Sequence, residues 1–209
     1  MLWFCEAIEA LGHALCYTYI EMIFRFSEQK SIELAAIFLK LRGGEMKHLK
    51  LIKLMYLADR EALRRWGHPI TGDRYVSMKF GPVLSNVLNL INGEPRPGDA
   101  PDHWGDFIEE SAPFTVKLVK EPIWGALSEA EADLASEIFG GFGARNRWDL
   151  VDLTHQFPEY REPDEDHRQW PIRYLDVLRA VGKSEKEAED ICAYVRGVNA
   201  AKSLLSTEG

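Results

Sequence analysis

The sequence predicts a mainly α chain, a single compact helical domain with a small β-hairpin, on three observations. Helix start signals recur in the last third: Ser128 with Glu131 and Ser184 with Glu187 have capping-box spacing, and Asn146 precedes Arg147-Trp148-Asp149. Between Met46 and Trp66 apolar residues return at helical spacing over about half the circumference. Period-two alternation, by contrast, is confined to Phe107-Ile108 and Thr115–Val119, enough for one hairpin.

Taken in order, residues 1–21 place Ile8, Leu11, Leu15, Tyr19 and Met22 at helical spacing, so they read as an amphipathic extension. A start codon assigned too early, with the protein beginning at Met22, is the alternative, and residues 22–209 form the expected domain. A helix over Ser31–Leu41 carries Ile32, Ala35, Ala36 and Leu39 on one side and stops at Gly43-Gly44. The second helix, Met46–Trp66, is closed by Gly67 with Pro69 beyond. Leu51, Ile52, Met55, Tyr56, Ala58, Ala62, Leu63 and Trp66 form its apolar arc, and Lys50, Lys53, Arg60 and Arg64 cluster opposite. So apolar a helix packs on more than one flank. Asp59 lies on a different side from Lys53 and is expected to pair elsewhere or face solvent.

Pro69–Asp73 is turn chemistry, Tyr75–Phe80 is extended or irregular, and Pro82 is expected to open a helix through Val83, Val87, Leu88 and Ile91. Gly93–Asp102, with three prolines, is a surface loop, and Arg161–His167 is a charged loop between helices. The final helix has an apolar seam of Ala188, Ile191, Val195, Val198 and Leu205.

With 209 residues the chain is long enough to bury a core, and a net charge of −8 argues against a coat of nucleic acid. That charge is unevenly spread. Arg42–Lys79 holds 9 basic against 4 acidic residues, whereas Glu94–Glu137 holds 11 acidic against 3 basic. Cys5, Cys16 and Cys192 have no metal-like spacing, which suits a reduced cytoplasm. The N-terminus lacks the basic residues and cleavage site of a secretory signal, and no apolar run reaches membrane-spanning length.

Catalytic and cofactor motifs are absent. No nucleophile elbow occurs, and Gly140-Gly141-Phe142-Gly143 follows a helix and lacks a phosphate-loop lysine, so it reads as a helix stop. Asp152 with His155, and Asp164, Asp166 and His167, lack metal-ligand spacing. The expectation is no enzyme, no cofactor and no metal, with His155 a hydrogen-bonded residue fixing the loop after its helix. The helix pair over 31–66 superficially fits a DNA-reading helix-turn-helix, but its second helix is long and half apolar. A DNA-binding regulator is therefore kept only as the alternative, and an unrecognised enzyme as a third class.

Three blocks then stand out: Leu49-Lys50-Leu51-Ile52-Lys53-Leu54-Met55-Tyr56-Leu57-Ala58-Asp59, Arg65–Asp73, and Phe80-Gly81-Pro82-Val83, with a weaker echo in Leu153-Thr154-His155 and Tyr160. In order and spacing they resemble the SocA-like Panacea antitoxin domain family, closely in the first half and loosely in the second, over about residues 23–205. The resemblance implies a bacterial or phage cytoplasmic antitoxin without enzymatic activity. Its partner would be a cognate toxin encoded nearby, which it would neutralise by direct contact or, acting as an adaptor, deliver to a Clp-type protease. No membrane is implied, nor any nucleic-acid partner. The candidate signature residues are Lys50, Lys53, Tyr56, Asp59, Tyr75, Phe80, Gly81, Pro82 and His155. Whether they touch a toxin or hold the fold, the resemblance leaves open.

Overall fold

A computed structural model describes residues 24–94 and 103–206, so the expected helix and extension in residues 1–21 lie outside the described residues. Leu205 of the expected seam belongs to a final turn whose side chains are likewise not described.

Helices begin and end where local chemistry dictates. Helix α1 (Glu28–Arg42) starts earlier than the predicted Ser31, because the Ser27 hydroxyl accepts the Lys30 amide. Gly43, at φ 99°, closes it in the left-handed region that a side chain would resist. Strand β1 (Glu45–Lys47) precedes α2 (His48–Trp66). Met46 is therefore not the helical residue the periodicity suggested. It pairs with Val116 across an antiparallel ladder, which takes up the backbone groups a helix would need.

Strands β2 (Tyr75–Met78) and β3 (Gly81–Leu84) form a tight hairpin with Ser77 opposite Pro82. This corrects the reading of Pro82 as a helix start: helix α3 (Ser85–Asn92) begins after the strand ends. Proline is tolerated there because β3 lies at the edge of its sheet. A short 3₁₀ turn, Trp104–Asp106, leads into β4 (Ile108–Ala112) and β5 (Thr115–Leu118). Helices α4 (Glu129–Phe142) and α5 (Arg147–His155) follow, each opened by a complete capping box. Gly140 and Gly141 lie within α4, so the glycine run stops the helix only at Gly143. Strand β6 (Trp170–Ile172) was not foreseen, and α6 (Tyr174–Ala180) and α7 (Glu185–Ser206) complete the chain.

The β content is thus larger than one hairpin: two three-stranded sheets, ordered β1-β5-β4 and β3-β2-β6. Tyr75 pairs with both Leu84 and Ile172, tying the family-like segment to the C-terminal third. Helix α2 runs through the middle and touches α1, α3, α4, α5, α6, β1 and β3. Its Leu51, Leu54, Met55, Tyr56, Ala58, Ala62 and Leu63 are fully buried. Because every side of its first half meets another element, even its polar residues are drawn inside. In α7, Ala188 and Cys192 are buried, and Ile191 and Val195 pack against the core. Among the described residues no helix is long and apolar enough to cross a membrane.

Candidate functional site

The basic sector predicted on α2 is not an open face. Lys53 is wholly buried and Lys50 nearly so. Arg60 bonds Glu159 at 2.7 Å, and Arg64 is turned onto Glu61 of its own helix. The cause is the crowding around α2, and each lysine is accommodated by main-chain oxygens. Lys50 Nζ donates to the carbonyls of Gly143 at 2.6 Å and Arg145 at 2.7 Å, and Lys53 Nζ donates to that of Pro82 at 2.6 Å. Burial lowers the Lys53 pKa from 10.5 to about 7. Burial, with a smaller contribution from Arg42, also lowers that of Lys50.

Asp59 does not face solvent. It is fully buried and accepts the Ile70 and Thr71 amides at 2.9 Å, the Thr71 hydroxyl, and the Tyr75 hydroxyl at 3.1 Å. Burial nevertheless raises its pKa from 3.8 to about 6, outweighing the donors that favour the carboxylate. Tyr56 buries its ring and donates its hydroxyl to Glu159 at 2.9 Å. The neighbouring Asp73, absent from the sequence candidates, accepts the Asn86 and Val87 amides at 2.9 Å and so caps α3 from a distant turn. Tyr174 donates to the Asp73 carbonyl oxygen at 2.5 Å.

Gly81 stands at the junction of these parts. With φ +87°, its missing Cβ would meet Thr154 Oγ1 at 2.6 Å, Lys53 Nζ at 2.8 Å and His155 Cδ2 at 3.1 Å. His155 stacks on Tyr160 with ring centroids 4.5 Å apart. It does not make the hydrogen bond expected of it: its buried Nε2 has no protein partner among the described residues. Lys53, Gly81, Pro82 and His155 thus come together, and Tyr56, Asp59 and Tyr75 form a second group joined by the Tyr75–Asp59 hydrogen bond and the Tyr56–Tyr75 ring contact at 5.3 Å. Lys50 stands apart, holding the loop between α4 and α5. Of the nine candidates only Phe80 is strongly exposed, at 45%.

What the lysines hold leads to the surface. Phe80 precedes Gly81, and Arg147 and Trp148 follow the loop fixed by Lys50. Phe80 and Trp148 meet edge to face at 5.5 Å. Opposite them Phe114 sits in the β4–β5 turn at φ 61°, an uncommon conformation for a non-glycine residue. Its amide donates to Glu110 at 3.1 Å, and its carbonyl accepts the His48 amide at 3.0 Å. These rings line a cavity of about 260 Å³ with His48, Leu49, Lys47 and Arg147. Beside it opens a cavity of about 650 Å³ bounded by Arg42, Glu45, Lys47, Lys50, Arg145 and Arg147 among others. Sequence reasoning missed this groove. Only the Gly140–Trp148 run hinted at it, since nothing local says that a phenylalanine or tryptophan will point outward. Among the described residues no cluster of three His, Cys, Asp or Glu is placed to hold a metal.

Fold and site together define a class: a mainly helical scaffold with two small sheets, whose buried lysines support an aromatic groove with a basic rim. The chain belongs to the antitoxin SocA-like, Panacea domain family, whose model matches residues 51–160, just over half of its length. The match takes in α2 from Leu51 onward, the β2–β3 hairpin, Phe80, Phe114 and Trp148 of the cavity walls, and the His155–Tyr160 pair, and begins just after Lys50. Neither among curated proteins nor among solved structures does anything match.

Proposed function

We propose that this protein is a cytoplasmic antitoxin that binds a toxin encoded beside it and neutralises it by direct contact, without catalysis of its own. The observation that carries this reading is the family match across residues 51–160. The arrangement of the site supports contact over chemistry. Lys50, Lys53 and Asp59 are engaged with backbone carbonyls and amides, and the groups left around the groove are rings and guanidinium groups, the side chains that dominate protein interfaces. Burial of Lys50 and Lys53 withdraws two of the cations that the DNA-binding alternative would present from the 31–66 helix pair.

Co-expression with each flanking gene in bacteria tests the proposal through growth and co-purification. Rescue from a toxic neighbour with a stable complex is the expected result. Rescue without a complex but with rapid loss of the toxin would replace direct inhibition with delivery to a Clp-type protease. No toxic neighbour and no rescue would sink the antitoxin reading.

A further inference from the structure

The groove has a specific chemical character. Phe80, Phe114 and Trp148 are 45%, 66% and 46% exposed and converge from three separate segments on one small cavity. Arg147 lines this cavity, Arg42 and Arg145 line the larger one beside it, and none of the three makes an ion pair among the described residues. Lys47 joins them, its ammonium bonded only to Thr115 Oγ1 at 2.7 Å and the Pro113 carbonyl at 3.2 Å. Glu45, Glu110 and Asp149 are carboxylates nearby: Glu45 accepts a long bond from Ser111, Glu110 is engaged by the Phe114 amide, and Asp149 accepts the Asn146 amide in its capping box. The rim is therefore positive, although the whole chain carries −8.

The geometry of the rings decides what kind of partner fits. A nucleic-acid platform needs free ring faces on which bases stack. Here Phe80 meets Trp148 and His48 meets Phe114 edge to face, at 72° and 71°, while Arg147 covers Trp148 at 5.1 Å and Lys79 lies over Phe80 at 6.0 Å. These contacts each cover part of the ring surface, and the cavity of about 260 Å³ between the rings has room for one large side chain rather than a run of stacked bases. We propose that this groove docks an acidic segment of a protein partner, one apolar side chain of which enters the slot between Phe80, Phe114 and Trp148 while its carboxylates meet the arginine rim. The proposal rests on the antitoxin reading only for naming the toxin as that partner.

The groove is also preorganised. Lys53 fixes the backbone beside Phe80, Lys50 fixes the approach to Arg147 and Trp148, and two hydrogen bonds hold Phe114 in its left-handed turn. Little ordering is left to be done on binding, which favours affinity in a small contact. Charge complementarity speeds encounter and makes it sensitive to salt.

The test uses the full chain and a phage-displayed library of random 12-residue peptides, with selection on the wild type and counter-selection on Trp148→Ala. The expected consensus is a large apolar residue flanked by Asp and Glu. A fluorescein-labelled peptide of that consensus should bind at least tenfold more weakly to Arg147→Glu and to Phe114→Gly, and more weakly as salt rises. Phe114→Gly removes the ring while suiting the turn, and urea unfolding of each variant separates lost binding from lost fold. A consensus without acidic residues, no enrichment over Trp148→Ala, or variants that bind as wild type would overturn the proposal. So would a dT12 oligonucleotide that binds in the groove more tightly than any peptide. Rescue of a toxic neighbour by all three variants as well as by the wild type would also overturn it, leaving the antitoxin reading intact. Acid-dependent peptide binding in the absence of a toxic neighbour would uphold the groove and remove the antitoxin reading.

Discussion

Replacing Lys53 with methionine puts the buried network to a quantitative test. The ammonium is fully enclosed, and burial moves its pKa from 10.5 in the free side chain to about 7 in the fold. Between those values the unfolded chain keeps a proton that the folded chain has released, so stability rises with pH. Applied to this shift, linkage gives a gain of about 2 kcal/mol from pH 7 to pH 9. Lys53→Met deletes the titration while keeping a side chain of comparable length. Unfolding free energies from urea titrations at pH 7, 8 and 9 should therefore diverge, the wild type gaining on the variant by about that amount. Other titrating groups cancel in the difference. At any single pH two effects oppose each other, because methionine relieves the buried ammonium but leaves the Pro82 carbonyl without its donor, at about 1–3 kcal/mol. The slope is thus the decisive quantity. Parallel profiles would refute the reasoning, since they would mean that the ammonium keeps its proton inside the fold.

Asp59 predicts the opposite trend at lower pH. Its folded pKa of about 6 exceeds the ordinary 3.8, so its contribution is complete below 3.8 and is lost as pH rises through 6. Against Asp59→Asn, the wild type should lose about 2 kcal/mol between pH 4 and pH 6.5 in the same urea assay. Gly81→Ala should destabilise by more than about 2 kcal/mol, because it combines a positive φ with contacts under 3 Å. Gly43→Ala, where φ is also positive but no atom lies within 4 Å, should stay near 1 kcal/mol, and equal thermal shifts for the two would contradict the packing argument. Glu159→Ala strands the Tyr56 hydroxyl and the Arg60 guanidinium together, so a loss of about 3–5 kcal/mol is expected by chemical denaturation.

The parts of the fold that were legible in sequence are those decided within one helical turn. Ser128 with Glu131, Asn146 with Asp149, and Ser184 with Glu187 all close the reciprocal bonds their spacing suggested. What stayed hidden depends on distant segments. Met46 looks helical until Val116 arrives as its strand partner, and Trp170–Ile172 is too short to announce a strand without Tyr75 beside it. Pro82 fits a helix start equally well by local rules, and only its pairing with Ser77 decides otherwise. The family-like block is legible as a pattern, and Tyr56 buries its ring as a tyrosine inside such a helix should, but the surroundings of its lysines are not legible. Helical periodicity put Lys50 and Lys53 on a polar side, whereas the carbonyls that receive them come from residues 82, 143 and 145. The groove was least legible, because exposure of Phe80, Phe114 and Trp148 is a property of three loops meeting.

The way Lys50 and Lys53 take hold of those loops has a consequence for change over generations. An ammonium bound to a main-chain oxygen reads no side chain, since every residue carries the same carbonyl. The supports are therefore blind to the identity of the residues they support. Positions 80, 144, 145, 147 and 148 can be rewritten, by selection or in a laboratory library, while the two lysines, Gly81, the Asn146 cap and the Asp59 turn stay untouched. Such a frame can be retargeted without being refolded.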